Sequence, residues 1–222
     1  MAKPSSRGPA PGPTLIRQLA RLAGTPLPAS SPSVPDRLSQ WFDWNRAVAL
    51  QGALDGRLRP AQDDLPAFDA GEDADCARVR AGLAASIHDA ATVLAGADVE
   101  ACCRHYATLQ RTLQAASGRL RGRLRDMLSQ GTPAQARLAE LDALLEQALS
   151  PRESVLLARI PQLLKRHCEA AADGDPAGSG PPPATATPPP PAFVQDMQTL
   201  LQSELELRFH PIDGLLAALR TH

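Results

Sequence analysis

Twenty-two prolines cut this 222-residue chain into segments. A proline inside a helix removes a backbone hydrogen bond and clashes with the preceding turn, so these positions limit where helices can run. The densest cluster lies in residues 173–192, where Pro176, Pro181 to Pro183 and Pro188 to Pro191 stand among alanine, glycine, serine and threonine. That composition builds no core and favours extended polyproline II, so the stretch is expected to be a semi-rigid linker. The rival use of such a run is as a ligand for a proline-recognising domain of the SH3 kind. A second break, residues 59–74, combines Pro60 and Pro66 with Asp63, Asp64, Asp69, Glu72 and Asp73, and reads as an acidic surface loop. Residues 1–13, dominated by proline and glycine, are expected to be disordered.

Between the breaks the apolar spacing is helical. Hydrophobic residues make up 43% of the chain, mostly alanine and leucine, and aromatics only 3%, a balance that favours helices over strands. Leu15, Ile16, Leu19 and Leu22 open a short helix after Thr14, which Gly24 and Pro26 end. Pro35 suits the first turn of a second helix carrying Leu38, Trp41 and Phe42 and ending near Trp44. Asn45 can cap a third, closing at Gly56. From Asp75 a narrow seam runs through Cys76, Val79, Leu83, Ile87, Ala90 and Leu94 to Gly96. Asp98 then caps a longer partner with Val99, Cys102, Tyr106, Leu109, Leu113, Ala116 and Leu120, a heptad rhythm that slips at Leu124, Met127 and Leu128. These two helices are expected to form a hairpin. Thr132-Pro133-Ala134-Gln135 and Ser150-Pro151-Arg152-Glu153 each read as a capping box with proline in the first turn. The first start leads to Leu138, Leu141, Leu145 and Leu149; the second leads to Leu156, Leu157, Ile160, Leu163 and Leu164, with a kink at Pro161. Beyond the linker, Phe193, Met197, Leu200, Leu201 and Leu205 form an amphipathic face that Pro211 separates from Ile212, Leu215, Leu216 and Leu219.

The expected fold is therefore all-α: an N-terminal helical unit over residues 14–58, an elongated helical hairpin and bundle with coiled-coil character over 75–172, and a tethered C-terminal helical segment over 193–220. No stretch of about 18 apolar residues suggests a membrane span, and the N-terminus lacks the apolar run of a secretory signal. A cytoplasmic location is expected. Cys76, Cys102, Cys103 and Cys168 are too few and too irregularly spaced for a disulfide framework, so reduced thiols are expected.

Three stretches, Gly12 to Leu22, Asp36 to Trp41, and Asp196 to Leu200 running on to Leu207 and Arg208, resemble a proteobacterial domain-of-unknown-function family, number 3348. The likeness extends more loosely over Ser150 to His167. It implies a bacterial protein, with no activity, substrate or catalytic residue to carry over, and suggests an accessory role beside cell-envelope systems.

Little in the sequence points to chemistry. Cys102 and His105 stand three apart, a spacing that puts two zinc ligands on one helix face. Further ligands would have to come from His88, Cys76, His167 or Cys168, and packing is the simpler role for these residues. No metal or cofactor is expected. The chain has no Gly-x-Ser-x-Gly elbow and no phosphate-cradling glycine loop, and Ser154 suits a first-turn role better than a nucleophile's. The chain is expected not to be an enzyme.

The strongest charged feature is Arg119, Arg121, Arg123 and Arg125, on alternate residues of one helix. Such spacing spreads the four over both flanks of the Leu120 and Leu124 seam. Residues 55–98 hold nine carboxylates against four arginines and residues 99–131 hold six arginines against Glu100 and Asp126, so pairing within the chain or with a partner is the natural outcome. A nucleic-acid-associated factor using this stripe is the alternative, though a net charge of -1 and the absence of interleaved aromatics do not favour it. An unrecognised helical enzyme or metal protein is the third reading. The leading expectation is a non-enzymatic adaptor or scaffold that binds unidentified protein partners, and also itself, through amphipathic helices. Its candidate contacts are the four arginines, the tail face of Phe193, Met197, Leu200, Leu201 and Leu205, docking in cis or in trans, and Trp44. Trp41 and Phe42 are expected in the core, leaving Trp44 as an exposed anchor.

Overall fold

A computed structural model describes residues 14–25, 33, 36, 40–55, 71–94, 96–173 and 189–221. The expected disordered start, residues 59–70 of the acidic loop and residues 174–188 of the linker lie outside them. Among the described residues the chain is all-α, with no strand. Its helices are α1 (Thr14–Leu22), α2 (Trp44–Leu54), α3 (Gly71–Val93), α4 (Val99–Ser129), α5 (Pro133–Leu157), α6 (Ile160–Asp173) and α7 (Pro191–Arg220).

Several ends follow local chemistry. Gly24 takes the left-handed conformation at φ +60°. The chain then turns back, with the Thr25 amide donating to the Ala20 carbonyl and the Gly24 amide to Arg21, the paired bonds of a Schellman stop. Gly96, at φ +78°, serves the α3–α4 turn, and the Asp98 carboxylate caps α4 by accepting from the Ala101 amide at 2.6 Å. Thr132 and Gln135 form the anticipated reciprocal capping box at the start of α5.

Other boundaries differ from expectation. Asp43, not Asn45, caps α2, accepting from the Arg46 amide at 2.8 Å. The last residues of the expected acidic loop are the first turn of α3, where Glu72 and Asp73 suit the positive end of the helix dipole. Ser150-Pro151 does not begin a helix: α5 continues through Pro151 to Leu157. The break falls at Ala158 and Arg159, before a proline that sits second in α6, where its missing N–H costs nothing. Pro211 likewise lies inside α7, although an interior proline costs about 3 kcal/mol. Phe209, Ile212, Leu215 and Leu216 are buried on either side of it, and their packing overrides the local penalty.

Helix α7 is the centre of the molecule. Its buried positions double at Leu200 and Leu201, at Glu204 and Leu205, and at Leu215 and Leu216, so the apolar face is wide enough to meet two neighbours at once. Along one side α3 runs antiparallel to it: Arg220 pairs with Asp73, Arg80 with Asp213, and the Gln198 amide donates to the Ile87 and His88 carbonyls. Along another, α4 runs parallel and buries Cys102, Tyr106, Leu113, Leu120 and Leu124. The anticipated α3–α4 hairpin is therefore bridged by α7 rather than zipped directly. Two narrow seams without a wide apolar partner face each other poorly, and α7 supplies that partner.

Helix α5 lies antiparallel to α4, with the Gln114 side chain donating to Ser154 and Gln110 to the Leu157 carbonyl. Its buried residues fall on two faces, Ala139 and Asp142 toward α4 and Leu144 and Ala148 on the opposite face that carries Arg137; the expected Leu138, Leu141, Leu145 and Leu149 are half-buried or exposed. The small side chain of Ala139, one turn before Asp142, leaves room for α5 to bring Asp142 onto α4. Outside this layer α2 packs on α5 through Ala53, whose carbonyl accepts from Arg137, and α1 lies on α7, with Arg21 bonded to Asp196 at 2.8 Å.

Candidate interaction surface and buried polar cluster

Three of the four stripe arginines are spent on internal pairs. Arg121 grips Asp142 with two bonds, Nε to Oδ2 at 2.8 Å and Nη2 to Oδ1 at 2.7 Å, the fork geometry that makes such pairs strong. Arg125, one turn on, reaches Asp142 at 3.3 Å and also Glu146. Arg123 points to the opposite flank, binding Glu72 and, at 3.3 Å, Asp75 of α3. Alternate residues on a helix diverge by about 200°, so the stripe clamps α5 on one side and α3 on the other. Arg119 alone of the four is exposed and makes no ion pair among the described residues.

Beneath this clamp lies a feature that no sequence motif announces. Glu204, fully buried at 0% exposure, sits beside buried Ser203 on the largely apolar stripe of α7. Its Oε1 accepts from Arg208 Nε at 3.0 Å and Nη2 at 2.8 Å, and its Oε2 accepts from the Gln110 amide at 2.8 Å. Arg208 also reaches Glu153 of α5 at 3.3 Å. Tyr106 lies close by; burial, with the Glu204 charge next, pushes its phenol well above the ordinary range. The Tyr106 hydroxyl has no hydrogen-bond partner among the described residues. Above the cluster opens a cleft of about 440 Å³ between α4, α5 and α7, lined in part by Arg121, Asp142, Glu146, Glu153 and Arg208. Its charges satisfy one another, and no exposed nucleophile stands beside a base. A glutamate and an arginine four residues apart, interrupting the run of Leu200, Leu201, Leu205 and Phe209, are the signal the sequence offers for it.

The tail face does not stand free. Phe193, Met197, Leu200, Leu201 and Leu205 are all buried in the core, so of the docking modes left open, the structure uses docking in cis. Trp44 behaves oppositely, with 81% of its surface exposed. It starts a stripe along α2 that continues through Ala47, Val48, Gln51 and Leu54, all exposed, while Ala53 faces α5. A surface helix ordinarily turns its apolar side inward; α2 carries much of its apolar surface outward. Trp41 and Phe42 are half-buried rather than in the core, and the Arg152 guanidinium lies 5.6 Å from the Trp41 ring centre.

Cys76, Cys102 and Cys103 are buried, Cys168 is half-buried, and all four are free thiols. The Cys103 thiol bonds the Pro161 carbonyl at 3.4 Å. Burial, followed by the Glu100 charge, pushes the Cys103 thiol up to about 11; burial also raises Cys76, Cys102 and Cys168. Thiols so raised stay protonated at neutral pH, and the thiolate is the reactive form. Native protein at about neutral pH is therefore expected to release thionitrobenzoate from a disulfide reagent far more slowly than unfolded protein, with Cys168 reacting first. Rapid modification of Cys103, read by peptide mass spectrometry, would contradict this. Among the described residues no group of three His, Cys, Asp or Glu is arranged to hold a metal ion, and no helix is long and apolar enough to cross a membrane.

No curated protein and no solved structure matches the chain. A family model described as "Protein of unknown function (DUF3348)" matches residues 1–221, which takes in all three stretches that carried the resemblance. With essentially the whole chain matched, the protein belongs to the DUF3348 family.

Proposed function

We propose that this chain is a non-catalytic protein-interaction scaffold, with the outer face of α2 as a docking surface and Trp44 as its anchor. The observation that carries the reading is the outward apolar stripe of Trp44, Ala47, Val48 and Leu54 on a helix whose opposite side is already packed. Clustered apolar exposure of this kind, interrupted here by Gln51, marks contact sites, and tryptophan is enriched among the residues that dominate binding energy. A second copy of the chain is one partner the face would accept. The nucleic-acid reading loses support because Arg121, Arg123 and Arg125 are neutralised by carboxylates of neighbouring helices. Among the described residues, the cleft between α4, α5 and α7 sets no exposed nucleophile beside a base from which to argue catalysis.

The test replaces Trp44 with alanine and Val48 with aspartate in the full chain. Neither side chain contributes to the core, so stability is expected to change by no more than about 0.5 kcal/mol. Partner recovery from native extract, and any self-association seen by light scattering, are expected to fall about tenfold or more. A double variant that recovers the same partners at the same level would sink the proposal.

A further inference from the structure

A second surface, at the C-terminal end of α5, has a more definite chemistry. Helix α1 and the α5–α6 junction flank an open groove of about 710 Å³. Its α1 wall is Ile16, Ala20 and Ala23, the four- and three-residue spacing of a helix face turned away from the core. The facing wall is Leu156, Ile160 and Leu163. Leu156 is 63% exposed and Ile16 44% exposed, so both walls hold large aliphatic side chains that no described segment covers. Arg159 and Arg166 line the same groove, and no carboxylate does. Both arginines are exposed, and neither makes an ion pair among the described residues. This sets them apart from Arg121, Arg123 and Arg125, each of which is paired.

We infer that this groove receives an amphipathic helix of a partner protein, its aliphatic face laid between α1 and α6 and its acidic flank on Arg159 and Arg166. The argument is complementarity of shape and charge. From Ile16 to Ala23 the α1 wall is about 10 Å long, which matches two turns of a helix docked in groove fashion through aliphatic anchors three and four residues apart. The two arginines are also about two helical turns apart in sequence, so a partner with carboxylates at that spacing beside its apolar stripe would meet both. Unpaired arginines beside exposed leucine favour an acidic partner over a basic or neutral one, because like charges placed there are repelled. The facing ends of α2 and α3 lie at the far end of α5, where Arg137 holds Ala53 and Arg123 holds Glu72.

The inference rests on reading the chain as an interaction scaffold, and its test is separable from the α2 test. The probe is a synthetic two-to-three-turn helical peptide with leucines at positions i, i+3, i+4 and i+7 flanked by glutamates, titrated into the full-length protein by fluorescence anisotropy. A matched peptide has lysines in place of the glutamates. Saturable binding of the glutamate peptide is expected, weakening as salt rises, with little binding of the lysine peptide. The charge-reversed double variant R159E/R166E is expected to bind the glutamate peptide about tenfold more weakly and the lysine peptide more tightly. Leu156→Asp is expected to abolish both. Circular dichroism of each variant, all at exposed positions, checks that the fold is kept. Failure of both peptides to bind, or binding that none of the variants alters, overturns the inference while leaving Trp44-dependent capture untouched. Decanoate displacing the peptide stoichiometrically would assign the groove to a fatty acid and overturn it too. Self-association of the free protein that R159E/R166E abolishes would assign the groove to a second copy and overturn it likewise.

Discussion

A chain ending at Ala172 is expected not to fold. Helix α7 contributes ten large buried apolar side chains, from Phe193 to Leu219, and each is worth about 1.5–3 kcal/mol on full burial. That total exceeds the whole net stability of an ordinary domain, about 5–15 kcal/mol. Removing α7 also uncovers the seams of α3 and α4, which meet it rather than each other, and strips Arg21, Arg80 and Asp73 of their partners on α7. Far-UV circular dichroism of the truncated chain should show much reduced helix and no cooperative melting transition, and a hydrophobic dye should bind strongly. Adding residues 189–222 as a separate peptide should restore part of the signal, since the peptide then supplies the missing face at a concentration-dependent cost. A truncated chain that melts cooperatively near the intact protein's temperature would show that α1 to α6 own a core without α7, contrary to the packing described above.

The central place of α7 marks where the sequence is legible and where it is not. Helix identity comes through well, because alanine and leucine at three- and four-residue spacing have only one regular conformation that buries them together. The Asp98 cap, the Thr132 and Gln135 capping box and the Gly24 stop are readable because each depends on residues adjacent in sequence. Two prolines show the limit. Pro151 and Pro211 carry the local signature of a start or a break, yet both lie inside helices; around Pro211 burial of Phe209, Ile212, Leu215 and Leu216 exceeds the penalty of one lost hydrogen bond. Nothing local to residues 150 or 211 reports that balance.

Pairing is less legible still. The tail face is visibly amphipathic, but amphipathicity does not say which element covers it. The doubled apolar positions of α7, at Leu200 and Leu201 and again at Leu215 and Leu216, are the pattern that indicates two neighbours instead of one. The spacing of the arginine stripe divides it into two flanks, as the structure does, while its destinations, Asp142 and Glu146 on one side and Glu72 and Asp75 on the other, depend on the tertiary arrangement. The candidate surfaces follow the same rule. Trp44 stands out in the sequence because it is offset from Leu38, Trp41 and Phe42. The groove at Leu156 does not, because Leu156 belongs to a helical apolar run that reads as core.

Replacing Arg208 with alanine is expected to cost about 3–5 kcal/mol, the range for breaking one side of a buried ion pair. Glu204 has no exposed surface, and Arg208 supplies two of its three side-chain hydrogen bonds. Without Arg208 the carboxylate retains Gln110 alone. For a chain of this size about 2–4 °C of melting temperature accompanies each kcal/mol, so a fall of about 10 °C is expected by calorimetry. Arg208→Lys should lie between the two proteins, keeping the charge but losing the fork that grips Oε1 with two nitrogens. The instructive variant is the double replacement of Glu204 and Arg208 by methionine. If the pair chiefly specifies how α4, α5 and α7 register, removing both charges should restore most of the loss or even exceed the native stability. Gln110 would still donate one amide hydrogen to the Leu157 carbonyl at 3.1 Å, while its other hydrogen would lose the Glu204 acceptor, a cost the double variant carries beside the removed charges. A double variant as unstable as the Arg208→Ala protein would instead mean that the ion pair is a net source of stability. A single variant that melts within about 1 °C of the native protein would show that Glu204 finds another partner once Arg208 is gone.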